Sequence, residues 1–176
     1  LTEDDLYLFN EGNHFRLYEK LGAHLINANG VAGTYFSVWA PDAEQVYDTG
    51  DFNGWNRTRH PMRSRGQSGI WECFIAGVEK GILYKDHVRS RYNGYRVDKA
   101  VPFAAYDETP PKTASIVWNL DYTWGDGEWM EKRRNYNSLD RPISIYEVHL
   151  GSWRRVPEEG NRPLTYSEVE PRLVED

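Results

Sequence analysis

From Val31 onward the chain is built of short runs in which apolar and polar residues alternate, each run closed by turn-forming residues. Residues 34–40 (TYFSVWA) stop at Pro41-Asp42, and residues 44–49 stop at Gly50-Asp51. Residues 70–76 follow Gly66 and Gly69, residues 82–90 and 95–97 flank Asn93-Gly94, and residues 115–120 come after the Pro110-Pro111 break. A period of two with turns at these intervals predicts an immunoglobulin-like β-sandwich of roughly a hundred residues.

The flanks read differently. Residues 2–22 predict short helices: Thr2 caps a first turn carrying Glu3, Asp4 and Asp5, and residues 15–21 repeat the pattern up to Gly22. Residues 121–141 are polar, aromatic and charged without a period, which predicts a linker with one helical turn at 128–133. Residues 142–150 (PISIYEVHL) predict a strand and 151–163 a long loop. Thr165-Tyr166-Ser167-Glu168 has the form of a capping box, although Pro171 would also suit a helix's first turn. A strand followed by a helix after an all-β stretch marks a domain boundary near residue 140. The expected organisation is a helical segment at 1–25, a sandwich at 26–120, a linker at 121–141 and the start of a second domain at 142–176.

Composition narrows the function. Hydrophobic residues make up 39% and charged residues 27%, the balance of an ordinary globular chain rather than a disordered one. The net charge is −6, with basic residues scattered among acids, which argues against nucleic acid and anionic membrane as partners. One cysteine, Cys73, has no partner for an internal disulfide; in a strand-like setting it reads as a small buried hydrophobe of a reducing, cytoplasmic compartment. Seven Trp and twelve Tyr are many for this length; most are expected in the core and a few as exposed rings that stack on sugars. No His, Cys and carboxylate cluster has metal-site spacing, and no phosphate cradle or Ser-His-Asp grouping is present, so no cofactor is expected.

Four segments carry a family resemblance. They are Tyr18-Glu19-Lys20-Leu21-Gly22-Ala23-His24; Phe36-Ser37-Val38-Trp39-Ala40-Pro41 with Gly50-Asp51-Phe52-Asn53-Gly54-Trp55-Asn56; Gly94-Tyr95-Arg96-Val97-Asp98-Lys99-Ala100 with Pro102-Phe103-Ala104; and Tyr146-Glu147-Val148-His149-Leu150-Gly151-Ser152-Trp153-Arg154. In order and spacing the chain resembles the amino-terminal region of glycogen branching enzymes. The second segment alone resembles only a family 48 carbohydrate-binding module, which isoamylases, trehalohydrolases and the glycogen-sensing kinase subunit also carry. The resemblance implies a mainly β fold, the sandwich with its short helices, followed by the first strand and helix start of an incomplete (β/α)₈ barrel. It also implies a parent enzyme that cuts α-1,4-glucan and re-attaches it through α-1,6 links, with α-glucan and the rest of the barrel as partners. The family's catalytic carboxylates lie on later barrel strands, so no catalytic residue is expected here. Retaining glycoside chemistry needs two carboxyl groups about 5 Å apart on a rigid scaffold. The alternatives are a non-catalytic glucan-binding or regulatory protein, the module of a debranching or trehalose-releasing hydrolase, and an immunoglobulin-like protein-binding module.

The candidate binding residues are Trp55, Asn53, Lys85 and Tyr92. Trp55 is expected to stack on a glucose ring while Asn53 bonds its hydroxyls; otherwise Trp55 plugs the end of the sandwich and Asn53 ties the loop. Lys85 lies opposite Tyr84 and Val88 on its strand and should face solvent, as the glucan-contacting lysine of related modules does. Tyr92, beside the Asn93-Gly94 turn, offers a second ring, whereas Tyr95, Arg96 and Asp98 are expected to hold an interface with the barrel. Glu147 and His149 alternate with apolar neighbours on the expected barrel strand and are read as structural. Two departures from the family pattern stand out: Asp48 occupies a core position beside Val46, where an aliphatic is usual, and Asp86 one between Tyr84 and Val88, where an aromatic is usual. Arg89 and Val101 also differ. Each buried Asp is expected to destabilise the module.

Overall fold

A computed structural model describes residues 1–175; Asp176, the outer bound of the expected second domain, lies outside the described residues. The chain divides into two compact units, Leu1–Tyr122 and Thr123–Asp176.

The first unit opens with α1 (Glu3–Asn10). Its cap is reciprocal: the Asp5 N–H donates to Thr2 Oγ1 at 3.1 Å and the Thr2 N–H to Asp5 Oδ2 at 2.8 Å, which satisfies two otherwise orphaned groups. The helix expected at 15–21 is reduced to a three-residue 3₁₀ turn, Leu17–Glu19. Seven residues hardly offset the cost of a helical nucleus. Leu21 is instead buried with Leu6 and Ile70 as the chain turns into the sheet.

The strands follow as β1 (Gly22–Ala28), β2 (Val31–Trp39), β3 (Ala43–Gly50), β4 (His60–Pro61), β5 (Arg63–Ser64), β6 (Ile70–Ala76), β7 (Leu83–Ser90), β8 (Arg96–Lys99), β9 (Tyr106–Asp107) and β10 (Ser115–Ile116). One antiparallel sheet runs β1-β2-β6-β5; the other runs β4-β3-β7-β10-β9, with β8 also paired to β7. β1 was not foreseen, and the expected boundary at residue 25 falls within it. Its ladder from Gly22↔Ser37 to Ala28↔Val31 assigns residues 22–25 to the sandwich.

The core lies between the sheets and includes Phe36, Val46, Met62, Ile75, Tyr84 and Val117. Phe36 and Tyr84 meet edge to face across it, with ring centroids 5.1 Å apart. The predicted period places Asp48 and Asp86 inward as well; they are 0% and 2% exposed and stand directly opposite each other on β3 and β7.

The second unit contains α2 (Gly127–Tyr136), α3 (Leu150–Trp153), the short β11 (Arg155–Val156) and β12 (Arg162–Pro163) pair, and α4 (Tyr166–Glu175). The strand expected over 142–150 does not form: residues 142–149 join no ladder among the described residues, and Ile143 and Ile145 are more than four-fifths exposed. A barrel strand exists through its neighbours, and residues 123–175 offer only the β11–β12 hairpin. α4 starts directly after Thr165, not at Pro171, which sits in its interior. The capping box decides the start: the Thr165 N–H donates to Glu168 Oε2 at 2.7 Å, and Arg162 braces the same carboxylate at 2.9 and 3.0 Å.

Candidate functional site

β3 ends at Gly50, opposite Tyr84 of β7. A Cβ at Gly50 would lie 2.2 Å from the Leu83 carbonyl oxygen, so only glycine lets the strands approach this closely. The chain then makes a 3₁₀ turn, Asp51–Asn53, and passes through left-handed backbone at Gly54 (φ 63°) and at Trp55 (φ 60°).

Asn53 holds this loop. Its Oδ1 accepts the Gly50 and Asn56 N–H groups at 3.1 Å each, while its Nδ2 lies 3.0 Å from the Asp48 carbonyl, 3.2 Å from the Asn56 carbonyl and 2.9 Å from His60 Nδ1. The two backbone donors fix which way the amide points, so His60 Nδ1 is an acceptor and the imidazole is neutral. Burial, then the neighbouring Arg59 charge, holds the His60 pKa below its usual value. Asn53, expected to bond sugar hydroxyls, is buried here with its amide committed to the loop.

Trp55 is 38% exposed. Its indole Nε1–H donates to Asp51 Oδ1 at 3.0 Å, and Asp51 Oδ2 accepts the Leu83 N–H at 3.3 Å, tying the ring to the start of β7. Lys85, paired with Thr49, points outward two residues along, and its ammonium donates to Thr113 Oγ1 at 2.6 Å. Trp55 and Lys85 therefore share one end of the outer face of this sheet. Tyr92 does not join them: it is exposed beyond the far end of β7, about 17 Å from Lys85 for the five strand steps to Ser90 alone.

Asp98 of β8 pairs with Arg57, just after the Trp55 loop, through contacts of 3.0, 3.0 and 2.7 Å, and with His87 Nδ1 at 2.7 Å. The Arg57 guanidinium, aided by His87 and opposed by partial burial, holds the Asp98 pKa below the usual range. Asp98 thus braces the loop from the side. Sequence reasoning missed Asp51 and Thr113. Asp51 lay within the expected motif, but nothing in the stretch after Pro110-Pro111 signalled that Thr113 would meet Lys85.

The described residues hold no group of three or more His, Cys, Asp or Glu side chains placed for a metal ion, and no helix long and apolar enough to cross a membrane. Glu147 is exposed in the segment without a ladder.

Residues 20–104 match carbohydrate-binding module 48 (isoamylase N-terminal domain). The chain is 53% identical over 170 residues to a 1,4-alpha-glucan branching enzyme of Aquifex aeolicus, covering 96% of this chain and 27% of that protein. It is 52% identical over 177 residues to the branching enzyme of Myxococcus xanthus, covering 99% and 24% respectively. The chain thus spans about a quarter of the length of these relatives. Among solved structures, ligand-free PulA from Klebsiella pneumoniae aligns with a TM-score of 0.48 at 25% identity, over 59% of this chain and 10% of that one. Over residues 20–104 the chain is thus similar to carbohydrate-binding module 48, and over nearly its whole length it corresponds to the amino-terminal part of the 1,4-alpha-glucan branching enzymes.

Proposed function

We propose that this chain is the glucan-binding part of a 1,4-α-glucan branching enzyme, that its module grips linear α-glucan at Trp55, and that residues 142–176 begin the catalytic barrel. The observation that carries the binding site is the Trp55 backbone. A bulky L-residue at φ 60° costs about 1–2 kcal/mol relative to glycine, and such strain tends to be kept where a side chain has a task. Here the strain presents an indole at the surface, anchored through its N–H to Asp51 with its ring free to stack. Lys85 and Thr113 supply donors for sugar hydroxyls beside it, and Asn53 positions the loop without touching the ligand. Tyr92, at the other end of β7, falls outside this patch. The half-buried Cys73 thiol donates to Asp48 Oδ2 at 2.8 Å and its pKa is pushed up, first by burial and then by the Asp48 charge, which suits a structural thiol of a reducing, cytoplasmic compartment.

The test is Trp55→Gly, which removes the ring and relaxes the backbone together. Calorimetric titration with maltoheptaose should show affinity falling on the order of tenfold, the loss of one stacked aromatic. Stability toward urea should hold or rise by about 1 kcal/mol. A variant that binds normally, or loses stability instead, would make Trp55 a plug at the end of the sandwich and favour the protein-binding alternative.

A further inference from the structure

Leu83 on β7, Ile116 on β10 and Tyr106 on β9 are direct register partners across three adjacent strands. Opposed residues of an antiparallel ladder share a face. Their chain neighbours Tyr84 and Ser115 are buried in the core, so this row projects outward. At the spacing of neighbouring strands it is about 10 Å long.

One end of the row meets the Trp55 loop, where Asp51 accepts from both the Leu83 N–H and the Trp55 indole. The other end is an aromatic platform. Tyr106 is 52% exposed, its ring lies 5.0 Å from that of Trp118, and Lys80 Nζ sits 3.9 Å over the Trp118 ring. The row floors a concavity of about 440 Å³ walled by the loop from Asp107 to Lys112. That loop brings a carboxylate at Glu108, a hydroxyl at Thr109 and an ammonium at Lys112 beside an apolar floor. An apolar ring platform with hydrogen-bonding groups at its rim is the chemistry a pyranose needs, since its face is apolar and its edge carries hydroxyls.

The geometry points to a second ring subsite at Tyr106: the binding surface crosses the strands from Trp55 over Leu83 and Ile116 to Tyr106 and takes several linked glucose units of a linear α-glucan. This extension rests on the reading of Trp55 as a glucan platform.

Maltotriose and maltoheptaose are titrated into the unaltered chain and into Trp55→Ala, Tyr106→Ala and Tyr106→Phe. Tyr106→Ala should weaken maltoheptaose roughly five- to tenfold, as for one stacked ring, and leave maltotriose within about twofold, while Tyr106→Phe keeps both. Trp55→Ala should weaken both sugars. Should Tyr106→Ala disturb the fold, the unaltered chain still decides: maltoheptaose, unlike maltotriose, should shift the Tyr106 amide and Trp118 indole N–H resonances. If Trp55→Ala weakens binding but Tyr106 affects neither sugar, or both equally, and those resonances stay still, the surface ends before Tyr106. If the unaltered chain binds neither sugar, the Trp55 reading itself falls.

Discussion

Three buried carboxylates show what decides whether such a group stabilises a fold. Glu72 is nearly buried, yet its pKa lies below the usual value: burial alone would raise it, but the Tyr35 hydroxyl at 2.6 Å, Arg63 at 2.5 Å and Arg65 at 2.9 Å outweigh that. Asp48 and Asp86 lack such partners. Asp48 Oδ2 accepts a weak bond from the Cys73 thiol at 2.8 Å, and the facing side chain is another carboxyl, with which Asp48 shares a hydrogen bond only while one of the two carries a proton. Burial pushes both pKa values up, and for Asp86 the neighbouring Asp48 charge adds to the shift. Asp48→Val and Asp86→Val should each raise stability by roughly 1–3 kcal/mol in urea unfolding; losses in both would show carboxyls that are satisfied as they stand. The sign of the pH dependence follows. With folded pKa values above the unfolded value of about 3.9, the native state holds protons that the unfolded chain releases, so these groups cost stability progressively as pH rises above about 4. Their pH-dependent cost should be smaller at pH 5 than at pH 7.5 in the unaltered chain and absent from the double variant. This placement was legible in the sequence because a strand's period fixes the face of every residue, whereas the meeting of the two aspartates was not, since cross-strand register leaves no mark along a single strand.

At the scale of elements, periodicity read the central strands β2, β3, β6 and β7 well and failed at the edges. β1 escaped notice because an edge strand with Leu25 and Ile26 partly exposed does not alternate cleanly. The signal that would have found it is Asn29-Gly30, a two-residue turn with φ 52° and 86° that joins β1 to β2 as a hairpin. A Cβ at Gly30 would meet nothing within 4 Å, so only the backbone resists substitution. Gly30→Ala should therefore cost about 1–2 kcal/mol, and a variant as stable as its parent would mean that the turn relaxes to another type. Residues 142–150 alternate as a strand would but join no ladder among the described residues, because alternation sets the faces of a strand while a ladder also needs partners. In the candidate site, Trp55 and Lys85 were legible from their own segments. Thr113 and Tyr106 were not, because they reach the surface from separate strands and loops that only the sheet brings side by side.

At the scale of the molecule, the two units should differ in backbone protection. Amides of β2, β3, β6 and β7 sit in continuous ladders and should exchange with solvent slowly, while those of residues 142–149, outside any ladder, should exchange at nearly unprotected rates. Slow exchange across 142–149 would reveal pairing that the chain forms in solution. Within the sandwich, the neutral His60 under the Trp55 loop has a broader consequence. A protonated imidazole cannot accept the Asn53 N–H, so acid strips a partner from the amide that shapes the loop, and because the folded His60 pKa is depressed, this support fades as pH drops below about 6.5. The paired aspartates respond with the opposite sign over an overlapping interval. On the proposed reading of Trp55 as the glucan platform, grip and robustness are thereby set against each other: mild acid should loosen the loop while firming the body behind it, so binding should be strongest at a pH above the one at which the core is most secure.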